Sequence, residues 1–245
     1  MILGILYPHY RMAHSSSAPT QISINARAAT RLRSGHVWVY QSDVVSRNSA
    51  SAGALVHVVD PKGKVLGSAV YSSSSQIMLR LLTRDLISSE EELLRLARTR
   101  LEEAIAHRSR VVRDANAYRL VFSEADRLPG LIIDRYNDVF TIQILTQAWD
   151  QPERRQAVVQ SLQELTGAEN IVERVDERIR ELEQLPPLAP SLLHGNKSAT
   201  IFTMNGVQFH YDALSGQKTG AFLDQRENYA AAANYARGQA LDVCT

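Results

Sequence analysis

The chain has 245 residues, of which 44% are hydrophobic and 22% charged, and its formal net charge is +1. This composition is typical of globular protein and excludes wholesale disorder. The single cysteine, Cys244, excludes an internal disulfide framework and indicates a reducing compartment. No apolar run approaches the roughly 18 residues that cross a bilayer, and the first residues lack a signal-peptide pattern, so we expect a cytoplasmic protein.

Charge is distributed unevenly along the chain. Residues 1–120 hold 16 Lys and Arg against 9 Asp and Glu, whereas residues 121–245 hold 11 against 17. A basic first part favours a polyanionic partner such as nucleic acid. The alternative is that a few surplus arginines only solvate a surface.

The sequence predicts a small β-barrel over residues 21–86, preceded by a disordered tail over residues 1–20. Residues 55–60 and 65–71 have the pattern of two strands joined by a turn, and residues 76–82 that of a third strand. Short strands with Gly, Pro and Ser turns and almost no helix are typical of such barrels.

Basic and aromatic side chains are interleaved over residues 26–40, where the arginines precede Trp38 and Tyr40. This mixture suits phosphate contacts combined with base stacking. Equally, Trp38 and Tyr40 could belong to the barrel core, with the arginines simply on the surface. The residues that we predict to bind RNA are Arg27, Arg31, Arg33, His36 and, on the third strand, Arg80.

Residues 87–213 are predicted to form a linker helix and a central α+β domain. Ser88 and Ser89 each precede a glutamate by three residues, a capping-box pattern that opens a helix to about residue 107. A second helix is expected from Asp150 to Gly167. Asn205-Gly206 is a strong hairpin signal between two strand candidates. The remaining predicted strands are 131–133, 139–146, 171–175, 200–204 and 207–211, which together with the helices indicate an α+β domain.

The third segment, residues 214–245, begins with the glycine-flanked stretch SGQKTG, continues into a helix over residues 224–236, and ends in an apolar strand. Gly216 and Gly220 allow close approach of the backbone to a ligand. The spacing differs from that of a phosphate-binding P-loop. Asp224 stands where a helix cap is expected. A purely structural alternative is that Lys218 forms a loop salt bridge and Asp224 only caps the helix.

Four stretches carry a resemblance to a known family: GQKTGAFLDQREN followed by ALDVCT, SEADRLPGLIIDRY, RLRSGHVWVY and GSAVYS. They are similar to motifs of the bacterial 23S rRNA large-subunit methyltransferase I family, over about residues 26–245. The chain has Ala221 and Tyr229 where the common form of the family has Phe and Arg.

The resemblance implies a multi-domain α+β fold: an RNA-binding PUA-like barrel, a central domain, and the start of a Rossmann-like methyltransferase domain that is truncated at its C-terminus. It implies the cofactor S-adenosylmethionine (SAM) and methyl transfer to carbon 5 of a cytosine in 23S rRNA. Such chemistry uses a cysteine thiolate and a base taken out of its stack. The implied cofactor-binding residues are Lys218, Phe222, Asp224, Arg226, Asn228 and Asp242.

The family's glycine-rich cofactor turn and catalytic cysteine are expected beyond Thr245. We therefore predict no catalytic residue in this chain and no methylation of RNA by this chain alone. Cys244 is expected to be a small buried hydrophobic residue. The expected partner is ribosomal RNA, with no membrane and no metal. Two alternatives remain: a non-catalytic RNA-binding module, and a central domain that forms a homodimer.

Overall fold

The computed structural model describes residues 19–215, 221–239 and 241. The first part of the chain forms a six-stranded sheet in the order β2-β6-β5-β4-β1-β3. Strands β1 and β4 are parallel and the other neighbours are antiparallel. A short turn over residues 41–43 joins the two end strands, so that the sheet is a nearly closed barrel. Its strands are β1 Thr20–Ile24, β2 Trp38–Tyr40, β3 Val44–Ser46, β4 Leu55–Val59, β5 Val65–Tyr71 and β6 Ile77–Thr83.

The barrel contains a helix, α1 (Ala26–Arg33), which the sequence analysis did not predict. The expectation of almost no helix was wrong at this point. The side chain of Asn25 accepts a hydrogen bond from the Ala28 amide at 2.9 Å and so caps the helix. Ala28 and Leu32 are buried among the apolar residues of the barrel. The basic side chains occupy the other face of α1.

The linker helix α2 (Glu90–Val111) begins at the predicted capping box. Ser89 accepts a hydrogen bond from the Glu92 amide at 3.2 Å, and the Glu92 carboxylate accepts one from the Ser88 amide at 2.6 Å. The helix runs four residues past the expected end at residue 107. Leu101 and Ala104 pack into the core of the central domain.

The central sheet has five strands in the order β11-β10-β9-β8-β7. Strands β9 and β10 are parallel and are connected by helix α3 (Pro152–Thr166), while the other pairs are antiparallel. Helices α2 and α3 pack against each other, and both bury apolar residues in the core of this domain. The strands are β7 Ala117–Phe122, β8 Leu131–Tyr136, β9 Val139–Ile144, β10 Asn170–Glu173 and β11 Ser191–His194.

Helix α3 does not begin at Asp150, as predicted, but at Pro152 with Gln151 at the cap position. Proline favours the first position of a helix, because its ring sets φ at a helical value and it has no backbone N–H that needs a hydrogen-bond acceptor. The Asp150 carboxylate instead forms ion pairs with Arg155 and Arg180. The predicted end of α3 is confirmed: Gly167 has φ +68° in the left-handed region.

A short helix α4 (Glu177–Leu182) precedes β11, and a separate hairpin of β12 (Ala199–Met204) and β13 (Val207–Asp212) follows it. The turn residues of the hairpin are Asn205 and Gly206, both with positive φ, as the sequence predicted. The hairpin packs on the central sheet through aromatic rings. Tyr136 of β8 stacks on Tyr211 at 3.9 Å between centroids and meets the edge of Phe202 at 5.5 Å.

After the hairpin, a 3-10 turn (Leu223–Gln225) leads into helix α5 (Arg226–Ala233). Asp224 does not cap this helix, contrary to the prediction, because it lies inside the turn and Gln225 takes the cap position without a side-chain bond. Leu223 packs against the buried residues around Tyr136, Phe202 and Tyr211, which we call the Tyr136 cluster. Helix α5 itself has no buried residue. Residues 216–220 with Lys218, and Asp242 with Cys244, lie outside the described residues.

Candidate functional site

Helix α1 presents Arg27 and Arg31 one turn apart, and both guanidinium groups reach the same carboxylate, that of Asp43. Arg27 Nη2 lies 3.0 Å from one carboxylate oxygen, and Arg31 pairs with the other. Asp43 is fully buried, whereas the Arg27 side chain is 70% exposed. The Arg31 guanidinium also lies over the ring of Tyr40, 5.4 Å from its centroid. The two arginines are therefore held in place with an open face towards solvent.

The charge of Asp43 is stabilised by its neighbours. Burial alone would raise the pKa of this carboxyl group, but hydrogen bonds from Asn25, Arg27 and Arg31 outweigh burial and hold the pKa below its ordinary value. Asp43 is consequently an anion at neutral pH, and it fixes the geometry of the two arginines.

A second carboxylate organises the carboxyl end of α1. Asp60 accepts hydrogen bonds from the backbone amides of Lys64 and Lys62 at 2.9 Å and pairs with Arg33. The Lys64 amide contributes most, and these bonds together lower the pKa of Asp60 although burial acts in the opposite direction. Arg84 donates to the carbonyls of Leu32 and Arg33 at the end of the helix.

These residues form one exposed basic surface, which we call the α1 surface. His36 is exposed in the turn that follows α1. The sequence analysis missed Lys62, Lys64 and Arg84, because only the fold brings them to the end of α1. The α1 surface consists of Arg27, Arg31, Arg33, His36, Lys62, Lys64 and Arg84.

The two aromatic residues fit neither alternative fully. Trp38 and Tyr40 are half-buried. The Trp38 indole Nε1 donates to Glu124 at 3.0 Å, and Glu124 belongs to the central domain. The Tyr40 ring is covered by Arg31. Trp38 thus connects two parts of the fold, and Tyr40 supports an arginine.

Arg80 does not lie on the α1 surface. It is 9% exposed, and its guanidinium lies 3.7 Å from Glu124 and 3.6 Å from Glu183. Both carboxylates come from the central domain, so that Arg80 belongs to the contact between the barrel and that domain. The burial of its side chain leaves little surface for a phosphate.

The contact between barrel and central domain is rich in polar side chains. Glu183 also accepts a hydrogen bond from the Ser72 hydroxyl at 2.6 Å, and the amide group of Gln147 bonds to Ser73. Arg154 of α3 is buried and donates to the Gly53 carbonyl at 2.7 Å and to Glu90. We call this contact the polar junction. Buried charged groups of this kind favour one arrangement, because a buried charge that is separated from its partner strongly destabilises the fold.

The predicted cofactor residues that the structure describes lie together on the 3-10 turn and the start of α5. The ring of Phe222 is 64% exposed, and Asp224 and Asn228 are exposed as well. Arg226 pairs with Glu227, and Asn228 donates to Gln225 at 2.7 Å. The pKa of the Arg119 guanidinium is raised, chiefly by its hydrogen bond to Asp134. The negative charge of Asp224 raises this pKa further. These residues form one open wall next to the Tyr136 cluster.

In the part of the chain that the structure describes, no group of His, Cys, Asp or Glu has the arrangement of a metal site. Across residues 19–215, 221–239 and 241, no helix combines the length and apolarity that a membrane crossing requires.

Comparison with known proteins agrees with this architecture. Residues 22–84 match the model of a PUA-like domain family. A ribosomal RNA large subunit methyltransferase I of Alteromonas mediterranea is 35% identical over 221 residues, which are 89% of this chain and 54% of the relative. The protein of that name from Shewanella amazonensis is 38% identical over 216 residues, 85% of this chain and 53% of the relative. The chain thus spans about half the length of the curated relatives that it matches.

Solved structures share the fold. A proposed methyltransferase complexed with SAH aligns with a TM-score of 0.70 at 18% identity, over 85% of this chain and 52% of the other. A proposed SAM-dependent methyltransferase from Streptococcus mutans aligns with a TM-score of 0.72 at 18% identity, over 88% of this chain and 54% of the other. The predicted multi-domain α+β fold with a PUA-like domain is confirmed. The chain is a homologue of the ribosomal RNA large subunit methyltransferase I proteins.

Proposed function

We propose that this chain is the RNA-docking part of a SAM-dependent ribosomal RNA methyltransferase. The observation that supports it most is the α1 surface, which lies within a PUA-like domain of a chain related to rRNA methyltransferases. The surface carries six Lys and Arg residues around two organising carboxylates, Asp43 and Asp60. The net positive charge attracts the RNA backbone, which supplies most of the salt-dependent part of such binding.

The paired arginines suit this role because they are ordered before RNA arrives. A free arginine loses rotamer entropy when it binds a phosphate, whereas Arg27 and Arg33 are already held by Asp43 and Asp60. The guanidinium group has donors on two edges, so one edge can remain on the carboxylate while the other meets a phosphate oxygen.

For the cofactor, we propose a wall formed by Phe222, Asp224, Arg226 and Asn228, completed by Lys218 and Asp242. The donor set fits an adenosyl ligand in its chemistry: an exposed aromatic ring can stack on a base, and a carboxylate can accept from hydroxyl or ammonium groups. SAM, when bound, would supply an electrophilic methyl group. Asp224 and Phe222 are the open groups of this wall, since the charge of Arg226 is already paired with Glu227.

The finer proposal is that the methyl acceptor is carbon 5 of a cytosine in 23S rRNA. We assign Cys244 no nucleophilic role, and we expect this chain not to methylate RNA alone. A ribosomal substrate would place the protein in the cytoplasm.

The test of RNA docking is fluorescence anisotropy with a labelled fragment of 23S rRNA at several salt concentrations. Arg27→Ala and Arg33→Ala should weaken binding and should make the negative slope of log K against log salt shallower by about 0.7 to 0.9 for each lost phosphate contact. Arg178→Ala, which removes an exposed charge from α4, is the matched control. Equal slopes in all four proteins would disprove docking through the α1 surface.

A second function, that of a non-catalytic RNA-binding module, is favoured by α5, because this helix buries no residue and so does not help to enclose a ligand. Calorimetric titration of this chain with SAM separates the two. Heat that is lost in Asp224→Asn would support the cofactor wall. RNA binding without any SAM heat would favour the binding module.

A further inference from the structure

A groove runs between helix α2 and the turn at residues 123–127 of the central domain. Its volume is about 400 Å³, which is ample for a phosphate with an attached sugar. The charged residues on its walls come from both sides. We call it the α2 groove, and its titratable residues are Arg100, Glu103, His107, Arg108, Asp126 and Arg127.

Cations outnumber anions in the α2 groove. Arg108 is paired with Asp126 through Nη1 and Nη2, the latter at 2.7 Å, and Arg127 is paired with Glu103. These two pairs account for both carboxylates. Arg100 has no carboxylate within 4 Å among the residues that the structure describes, and the imidazole of His107 lines the same groove.

Arg100 is the unusual member of the α2 groove because it is charged, buried and without a counter-ion. It is 5% exposed, and it donates only to carbonyls, those of Arg127 and Leu82, both at 2.5 Å. Its Nε–H is buried and has no acceptor. Burial and the nearby charge of Arg127 lower the pKa of Arg100 to about 10. A buried guanidinium in this state gains strongly from an anion that enters beside it.

Arg127 stands at the opening of the groove with an unfavourable backbone. Its φ is +59°, in the left-handed region that glycine adopts without cost. Its side chain is more than half exposed. A long cation at a position that suits glycine is a local conflict between backbone and side chain, and such conflicts concentrate at binding sites.

The end of β6 links the α2 groove to the α1 surface. Leu82, whose carbonyl accepts from Arg100, stands two residues before Arg84, which contacts the end of α1. Two residues of extended chain span about 7 Å, close to the distance between successive phosphates of a nucleic-acid strand. The chain from Leu82 to Arg84 therefore connects Arg100 in the groove with the carboxyl end of α1.

We propose that the α2 groove binds a phosphate group of the RNA backbone, as a second docking point beside the α1 surface. The anion would lie against Arg100 and accept hydrogen bonds from Arg127 and His107. This inference rests on the proposed RNA-docking function.

The test uses the whole chain and a labelled single-stranded RNA of about 20 nucleotides. Arg127→Gly removes the cation and relieves the backbone, so that the variant should fold at least as stably as the wild type. The magnitude of the salt slope of its RNA affinity should fall by about 0.7, and the RNA affinity of Arg127→Gly/His107→Ala should be lower still. Arg95→Ala is the control, because Arg95 is an exposed cation of α2 that does not line the groove.

The outcomes separate this inference from the proposed function. If Arg27→Ala makes the salt slope of RNA affinity shallower while Arg127→Gly behaves like Arg95→Ala, the proposal that the α2 groove binds RNA is overturned. Docking through the α1 surface then stands. If wild-type protein does not bind RNA, both fail. Inorganic phosphate is titrated separately by calorimetry. Phosphate binding that is lost in Arg127→Gly, with RNA affinity unchanged, would overturn the assignment to RNA in favour of a small phosphate ligand.

Discussion

The guanidinium of Arg80, on a strand of the barrel, lies 3.6 Å from the carboxylate of Glu183 in the central domain. Both side chains are nearly inaccessible to water. Glu183 also accepts from the Ser72 hydroxyl, which is on the barrel side as well. One carboxylate of the central domain therefore holds two separate groups of the barrel.

Replacing Glu183 by Gln should destabilise the fold. The substitution keeps the shape of the side chain but removes the charge of one of the two carboxylates that lie near Arg80, leaving that of Glu124 at 3.7 Å. Loss of one member of a buried ion pair costs about 3 kcal/mol. Urea denaturation should show a lower free energy of unfolding by that amount. Glu181→Gln, which replaces an exposed carboxylate of α4 two residues earlier, is the control and should change little. Equal stability of the two variants would contradict the role of the polar junction.

The stabilisation by Asp43 should depend on pH. Because hydrogen bonds from Asn25, Arg27 and Arg31 hold the pKa of Asp43 below its ordinary value of 3.8, the charged form stabilises the fold above that value. This contribution is lost as the pH falls through the lowered pKa. Asp43→Asn should cost about 2 kcal/mol at pH 7, and the difference from wild type should shrink below pH 4. A difference that stays constant from pH 7 to pH 3 would argue against it.

Two glycines with nearly the same backbone allow a matched test of close packing. Gly53 and Gly63 have φ of +76° and +78°. A Cβ on Gly53 would lie 2.5 Å from the carbonyl oxygen of Gln147, whereas a Cβ on Gly63 would meet nothing within 4 Å. Gly63→Ala should cost about 1 kcal/mol for the left-handed backbone. Gly53→Ala should cost about 2 kcal/mol more, because the barrel must move away from the central domain. Thermal unfolding of the two variants should therefore give clearly different midpoints.

Arg154 should tolerate substitution poorly even by lysine. Its planar guanidinium bonds at once to Glu90, to the Gly53 carbonyl and to the Ala148 carbonyl at 2.9 Å. An ammonium group cannot reproduce this fork of donors. Arg154→Lys should lower the free energy of unfolding by about 2 kcal/mol. Arg155→Lys is a demanding control, since Arg155 is less buried. A smaller loss for Arg154 than for Arg155 would count against this account.

The elements that could be predicted from sequence are those with local signals. Ser89 and Glu92 predict the start of α2, because the side chains of a capping box accept hydrogen bonds from the free backbone amides at the beginning of a helix. Asn205-Gly206 announces the hairpin because both residues accept positive φ. Helix α1 was missed, although Asn25 was a usable cap signal, because the arginines on its outer face hid the apolar positions at Ala28 and Leu32.

The candidate site was less predictable because it depends on distant partners. Arg33 and Asp60 are 27 residues apart, and no local pattern joins them. Arg80 was predicted to bind RNA from the third strand, yet its carboxylate partners, Glu124 and Glu183, come from another part of the fold. The domain boundaries at residues 86 and 213 and the homodimer stay predictions.

The polar junction also limits where the barrel can place a bound RNA strand. A barrel that swings on a free linker can place a bound strand anywhere within the length of that linker. Here Arg80, Glu183 and Arg154 fix the barrel against the central domain, so the distance from the α1 surface to the Phe222 wall is set by the fold. If the barrel binds RNA, the nucleotide that reaches the Phe222 wall is selected by its distance along the RNA from the α1 surface.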